Sequence, residues 1–449
     1  MEQIQIPSTK VERAMRFVKT GVQIGGNYVK HYSRKLVNPE LSKDELHEEN
    51  ATDVYNALSE LKGSALKVAQ MLSMERNVLP RQYTNKFQMA QYSAPPLSGP
   101  LIVQTFMKSF GKPPQQIFDS FEMKASNAAS IGQVHEASLN NRKLAIKIQY
   151  PGVAESIKSD LKIVKPIAFR LLSMNEKELD KYIKEVESKL LEETDYELEL
   201  QRSQHISAQC ASINNLQFTT YYPEYSTKKV LCMDWLEGLH MDEFLKTNPS
   251  QEIKNMIGQA MWDFYDLQVH ELKAVHADPH PGNFIMRTDG TLGVIDFGCV
   301  KEIPDDFYFN YFALLVPEIM RDMNIIRNIM LQQQIISNQD SDNVKIKITD
   351  AFIRMTNLLR RPFDYEVFDF GNNSYINEIY EMGEEVSKMK ELKESKEGRG
   401  SQHALYINRT YFGLYSILNQ LGAQVNTGIR NWKQLLIQYH LEQTPVKTN

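Results

Sequence analysis

Cysteine is scarce in this chain. Cys210, Cys232 and Cys299 are the three in 449 residues, with no C-x-x-C spacing among them. That excludes a disulfide framework and a zinc knuckle, and fits a reducing, cytoplasmic setting. No stretch approaches roughly 18 unbroken apolar residues, so no transmembrane helix is expected. The opening MEQIQIPSTKVERAMRF lacks the apolar core of a secretory signal. Any membrane contact is therefore expected to be peripheral, at the inner face. A strong charge of one sign is missing too: 51 Lys and Arg face 56 Asp and Glu, for a net charge of -5. Nucleic acid is not an expected partner. No fixed repeat or long low-complexity tract is visible. What is present is 42% hydrophobic and 24% charged residues. That composition is ordinary for a soluble protein with a substantial core, and the length suits two to three domains.

The order of segments points to an α+β chain. Thr9 and Glu12 have capping-box spacing, and the residues up to Lys35 carry Lys10, Arg13, Arg16, Lys19 and Lys30 among apolar positions. The plain reading of this segment is a solvated helix on its own domain; contact with a membrane surface is the sharper one. A second helix is expected over 53–76, then a break at Ala94-Pro95-Pro96, then a helical piece over 99–119. From about 121 to 150 the pattern alternates. Residues 133–137 and 143–148, joined by Leu139-Asn140-Asn141, read as a hairpin. A long helix is expected over 176–209, with strands near 217–222 and 228–234. Beyond 251 the chain reads as helical except for one interruption, residues 283–287 and 292–295 around Asp289-Gly290, a strong hairpin signal. Three parts are expected: a helical extension over 1–120, a β-rich lobe over 121–235 and a helical lobe over 236–449.

That last hairpin carries the chemistry. Folding it sets Asn283, at the start of one strand, beside Asp296, at the end of its partner. Two hard oxygen donors suit Mg²⁺, which keeps waters and substrate phosphates as its other ligands. Asp278, five residues before Asn283, is left to orient or deprotonate a nucleophile. This is the D-x-x-x-x-N and D-F-G layout of a kinase catalytic loop and metal loop. Upstream, Lys147 closes the run Leu144-Ala145-Ile146-Lys147 and matches a lysine that contacts nucleotide phosphates. It requires a carboxylate partner, and Glu192, Glu193, Asp195, Glu197 and Glu199 are all candidates. The strand ending in Met233 and Trp235 stands where a kinase has its hinge, so their backbone is a candidate adenine contact. ATP or ADP with Mg²⁺ is the expected ligand pair. Each of these signals alone has a bland reading as a solvated edge lysine, a charged helix face or a polar loop, but their order along the chain is specific. His276 and His280 invite a zinc reading, yet Pro279 and Pro281 forbid the regular helix such a pair would need.

Two features depart from ordinary protein kinases. In place of a glycine-rich loop the chain has Ser126-Asn127-Ala128-Ala129-Ser130-Ile131-Gly132, and Cβ atoms there limit close backbone approach to phosphate. No A-P-E segment follows the D-F-G. Taken together, NAASIGQVH, LAIKIQYPGV, EETDYELE, HADPHPGNF and VIDFG resemble the UbiB/AarF (ABC1-type) family of atypical kinases, whose eukaryotic members act in coenzyme Q biosynthesis. The resemblance covers nearly the whole chain. It implies a protein kinase-like bilobal fold with a helical extension packed over the active site. The family's K-x-G-Q helix reads Lys67-Val68-Ala69-Gln70 here, with alanine in place of glycine. In family terms Asp278 is the catalytic-loop acid, Asn283 and Asp296 hold Mg²⁺, and Lys147 with Glu199 anchors phosphate. Ala128, Ala129, Ser130 and Ile131 line the nucleotide, while Lys67 and Gln70 gate the site, Lys67 against Glu193 and Asp195.

The resemblance implies a UbiB-type kinase or ATPase that supports isoprenoid quinone (ubiquinone or menaquinone) biosynthesis or membrane lipid handling and does not phosphorylate proteins. Its implied partners are a nucleotide, a quinone precursor or lipid, quinone-biosynthesis proteins, and a membrane surface met through the basic N-terminal helix. The alternative is a small-molecule phosphotransferase of the aminoglycoside or choline kinase type. That class shares the H-x-D-x-H-x-x-N loop but lacks the K-x-x-Q helix and the alanine loop. A third reading is a regulator that binds nucleotide without catalysis, and the intact catalytic positions argue against it.

Overall fold

The computed structural model describes residues 26–27, 30–31, 33–34, 44–61, 97–128, 131–171, 176–393, 399–428 and 432–443. It is an α+β chain that divides into two compact units. One comprises Met1–Gln201 and Thr220–Trp235, the other Arg202–Thr219 and Leu236–Asn449.

In the first unit, helix α1 spans Asp44–Leu61 and α2 spans Gly99–Phe110. The helix expected over 99–119 is shorter because Gly111 turns left-handed, with φ 70°, and a 3₁₀ turn over Pro114–Gln116 follows. The expected helix over 53–76 begins earlier, at Asp44, and its part beyond Leu61 lies outside the described residues. An antiparallel sheet comes next: β1 Ser120–Phe121, β2 Asn127–Ala128, β3 Gly132–Leu139, β4 Arg142–Gln149 and, later in the chain, β6 Val230–Asp234. The β3–β4 turn is Asn140-Asn141 with φ of 52° and 62°, a pair of positive angles that matches the twist of a hairpin and that asparagine tolerates. Alternation then decides which side chain goes where. Leu144, Ile146 and Ile148 enter one core with Ile102 and Phe106 of α2. Ala145 and Lys147 face the opposite side, where Ala145 joins Tyr196, Leu200 and Leu231.

Residues 153–171 form a helix, α3, for which the sequence pattern raised no expectation. The single helix expected over 176–209 is two, α4 Glu176–Glu193 and α5 Tyr196–Gln209. The break falls at Thr194-Asp195, where the Asp195 carboxylate accepts from the Leu198 N–H at 3.2 Å and so caps α5.

In the second unit, β5 Leu216–Phe218 pairs in parallel with β9 Leu292–Val294, which pairs antiparallel with β8 Phe284–Met286. Helix α6 is Met241–Lys246. Helix α7, Gln251–Leu267, starts at Ser250, whose side chain accepts from the Ile253 N–H, and buries Ile257, Met261, Trp262, Phe264 and Tyr265. It ends in a π turn over Gln268–Leu272 and a left-handed Lys273. Strand β7, Ala274–His276, then pairs with β10, Val300–Glu302. The stretch without α-helix therefore runs from 274 to 302, wider than the single hairpin expected, with a 3₁₀ turn at Pro281–Asn283 inside it. A further strand pair departs from the expectation of helix, β11 Val367–Asp369 with β12 Gln424–Asn426. The remaining helices used below are α8 Asp305–Ala313, α9 Met323–Gln332, α10 Asp342–Leu359, α11 Asn373–Lys388, α12 Gln402–Leu421 and α13 Trp432–Gln443. Trp262 is the hub of an aromatic core, with ring centroids 5.3 Å from Phe363, 5.8 Å from Phe370 and 6.4 Å from Tyr415.

Candidate nucleotide and phosphoryl-transfer site

The first unit supplies an ion pair. Lys147 stands on the α5 side of β4, and its Nζ donates to both carboxylate oxygens of Glu199, at 2.9 and 3.0 Å. The two side chains are 10% and 1% exposed. The Tyr196 ring lies beneath the same ammonium, 5.1 Å away at its centroid. Among the five candidate acids, Glu199 is bonded to Lys147 through both carboxylate oxygens. Asp195 turns instead to its helix cap and, at 3.5 Å, to Lys228.

The alanine-bearing loop begins as β2, where Asn127 pairs with Val134 and Ala128 with Gln133. Ala129 and Ser130 lie outside the described residues, as do Lys67 and Gln70 and the basic segment from Thr9 to Ile24. Ile131 is a core residue: its side chain is buried and its carbonyl accepts from the Tyr150 N–H at 2.9 Å. Any nucleotide contact at 131 falls to its N–H. Gly132, the glycine that survives in this loop, has a packing reason. A Cβ there would stand 2.6 Å from the Tyr196 hydroxyl and 2.7 Å from the Ile148 carbonyl oxygen. At the hinge-like strand, Met233 is buried opposite Ala145. The Trp235 N–H donates to the Lys143 carbonyl at 2.9 Å, which leaves the Trp235 carbonyl as its backbone group for a base.

The second unit assembles the other residues. Asp278 follows β7, Asn283 precedes β8 and Asp296 follows β9, so three strand ends bring them together. Two backbone bonds tie the ends: the Ile295 N–H to the Asn283 carbonyl at 3.2 Å, and the Ala277 N–H to the Cys299 carbonyl at 2.9 Å. The Asn283 amide nitrogen donates to the Asp278 backbone carbonyl at 2.8 Å, and it lies 3.5 Å from the Asp278 Oδ2. An amide whose nitrogen is engaged there presents its carbonyl oxygen the other way, as a metal ligand must. Asp296 Oδ1 accepts from the Gly298 N–H at 2.8 Å, an Asx turn that fixes the carboxylate on the D-F-G bend. Two half-buried hard-oxygen donors fit Mg²⁺, which draws its remaining ligands from water and phosphate. When bound there, the ion would neutralise phosphate charge.

Both histidines have work inside the loop. His276 is fully buried, its Nδ1 3.1 Å from the Tyr265 hydroxyl and its own N–H donated to Gln268. His280 Nδ1 accepts from the Gly282 N–H at 3.0 Å. Burial pushes the Tyr265 hydroxyl pKa well up, and the charge of Asp278 adds to that shift. The three cysteines are buried and none forms a disulfide, and burial pushes the Cys210 and Cys232 thiols up to about 12.

Sequence reading missed Arg409. From α12, its Nη2 donates to Asp278 Oδ1 at 3.0 Å. A lone arginine and an interior glycine, Gly413, on an otherwise apolar helix face were the available signals.

Residues 89–330 match the family model described as the ABC1 atypical kinase-like domain. The chain belongs to the ABC1 atypical kinase-like family. It is thus an ATP-dependent enzyme of the phosphotransferase class with a kinase-like α+β fold. It is 23% identical over 448 residues to "Probable serine/threonine-protein kinase abkA" of Dictyostelium discoideum, covering 94% of this chain and 78% of that one. It is 27% identical over 385 residues to "Atypical kinase COQ8, mitochondrial" of Saccharomyces cerevisiae, covering 83% and 75%. Among solved structures, the Rv3197–erythromycin complex from Mycobacterium tuberculosis superposes with a TM-score of 0.58 at 26% identity, over 88% of this chain and 97% of that one. The ABC1 match stops at 330, before α12. Among the described residues no helix is long and apolar enough to cross a membrane.

Proposed function

We propose that this protein binds Mg-ATP and turns it over as a UbiB-type atypical kinase or ATPase, in support of isoprenoid quinone biosynthesis or membrane lipid handling. The observation that carries the nucleotide half of this reading is the Lys147–Glu199 pair, which is buried and bonded through both carboxylate oxygens. A lysine held that way presents a fixed cation to the phosphates. Asn283 and Asp296 are the Mg²⁺ ligands and Asp278 the catalytic-loop acid. Ala128, Ala129, Ser130 and the N–H of Ile131 line the phosphates, and the backbone of Met233 and Trp235 serves the base. Lys67 and Gln70 gate the site on the strength of the family resemblance alone, and that gate favours a small acceptor or water over a protein. The basic N-terminal segment, together with the resemblance to a family whose eukaryotic members act in coenzyme Q biosynthesis, supports work at a membrane surface beside quinone-biosynthesis proteins.

Ligand linkage gives the test. Mg-ATP at a hundred times its dissociation constant adds about 2.7 kcal/mol of stability. The wild type is expected to melt several degrees higher in millimolar Mg-ATP, and Asp296→Asn to lose most of that shift. A wild type indifferent to Mg-ATP sinks the assignment. ATP hydrolysis with and without anionic vesicles, and with an aminoglycoside or choline added, separates the membrane-linked reading from the small-molecule phosphotransferase. Stimulation by lipid supports the first; stimulation by the small acceptor alone supports the second.

A further inference from the structure

Helix α12 meets the catalytic loop along one face, through residues spaced by three and four. Tyr406 is buried with Ala277 and Cys299. Arg409 bonds Asp278 at 3.0 Å, the two side chains being 11% and 16% exposed. Gly413 receives Pro279: a Cβ there would stand 2.3 Å from the proline Cγ and 2.9 Å from its carbonyl oxygen. Protein kinases place an arginine directly before the catalytic aspartate. Here that position is Ala277, with no exposed surface. A cation is brought beside the acid from 131 residues further along the chain.

We propose that Arg409 is a positioning residue for phosphoryl transfer. It holds Asp278 through Oδ1 so that Oδ2 is the oxygen that meets the acceptor, and Gly413 is the contact that lets α12 come close enough to do so. This rests on Asp278 being the catalytic-loop acid. In the step concerned, a lone pair of the acceptor oxygen forms the bond to the γ-phosphorus of ATP. The bond from that phosphorus to the β–γ bridging oxygen breaks, ADP leaves with the electron pair, and the acceptor's proton passes to Oδ2. A carboxylate free to rotate would present either oxygen, or neither, to that proton. A guanidinium bonded to one oxygen removes the choice without occupying the other. A purely structural ion pair at this depth gains little over an apolar replacement, so stability alone is a weak reason for charges here.

The test uses the full chain and separates turnover from nucleotide binding. ATP turnover and the dissociation constant for Mg-ADP are measured for the wild type, Arg409→Gln, Arg409→Lys, Gly413→Ala and Asp278→Asn, with melting temperatures alongside. Misplacing a catalytic group by about 1 Å costs on the order of 10²-fold in rate. Arg409→Gln is therefore expected to lose on the order of 10²-fold in kcat with Mg-ADP affinity nearly unchanged. Arg409→Lys should recover part of that loss, because a cation still reaches Oδ1. Gly413→Ala, which alters no charge, should lower kcat in the same way by moving Pro279. If Arg409→Gln does not fold, the lysine and alanine variants decide. Wild-type turnover in the Arg409 variants while Asp278→Asn is inactive overturns the positioning role alone. Equal loss of Mg-ADP affinity and turnover also overturns it, since that marks a merely structural residue. Wild-type turnover in Asp278→Asn sinks the underlying assignment of the acid and this proposal with it.

Discussion

Gly132 shows at single-residue scale how a motif can survive for a new reason. In a glycine-rich loop glycine lets backbone approach phosphate. Here the space over its Cα is filled by the Tyr196 hydroxyl and the Ile148 carbonyl. Gly132→Ala is expected to destabilise the protein by about 1–3 kcal/mol, the usual range for overpacking. Combining it with Tyr196→Phe should recover part of that loss in urea unfolding, because the hydroxyl is one of the two obstructing atoms. Identical unfolding midpoints for the single and double variants would show that Tyr196 is not the obstruction. The identity of Lys147 as a strand lysine was legible from its apolar run. Its partner was not, because five acids lie within eight residues and only the helix break at Thr194-Asp195 sets which of them faces β4.

Among elements, the β3 strand carries a buried polar chain. Leu97 N–H donates to Gln133 Oε1 at 2.7 Å, so the Gln133 amide nitrogen is the donor to His135 Nε2, also at 2.7 Å. His135 Nδ1 then carries the hydrogen and donates to the Glu122 carbonyl at 2.8 Å. Burial lowers the His135 pKa below its ordinary 6.5. The sign follows. The neutral ring is the folded form, so its contribution is complete above about pH 6.5 and is lost as pH falls below it. Wild-type stability should drop between about pH 7.5 and about pH 5.5, and His135→Gln should flatten that slope. An unchanged slope in the variant would assign it elsewhere. The D-x-x-x-x-N and D-F-G hairpin was readable at this scale, since Asp289-Gly290 fixes the turn, Gly290 has φ 90°, and Phe284 pairs with Val294. The β5–β9 pairing was not, because a parallel register between Leu216 and Leu292 leaves no local trace.

For the molecule as a whole, the second unit does not end where the family match ends. Trp262 lies inside the matched residues, yet its partners Phe363, Phe370 and Tyr415 lie beyond 330. A chain stopped at 330 is expected to lose its cooperative thermal transition and to bind hydrophobic dyes, because a core helix would stand uncovered. A sharp transition with native near-ultraviolet dichroism in that shortened chain would contradict this. Composition and motif order revealed the class of enzyme. They could not reveal the support of its catalytic loop, because α12 reads as an ordinary apolar helix until its neighbours are known.

The seat of Pro279 on Gly413 binds two distant positions into one unit of heredity. A Cβ at 413 meets the Pro279 ring and the Pro279 carbonyl oxygen, and a smaller residue at 279 removes the first obstruction, so the cost of change at one site depends on the other. In a double-mutant cycle, Pro279→Ala should relieve part of the cost of Gly413→Ala, with a coupling of roughly 0.5–3 kcal/mol.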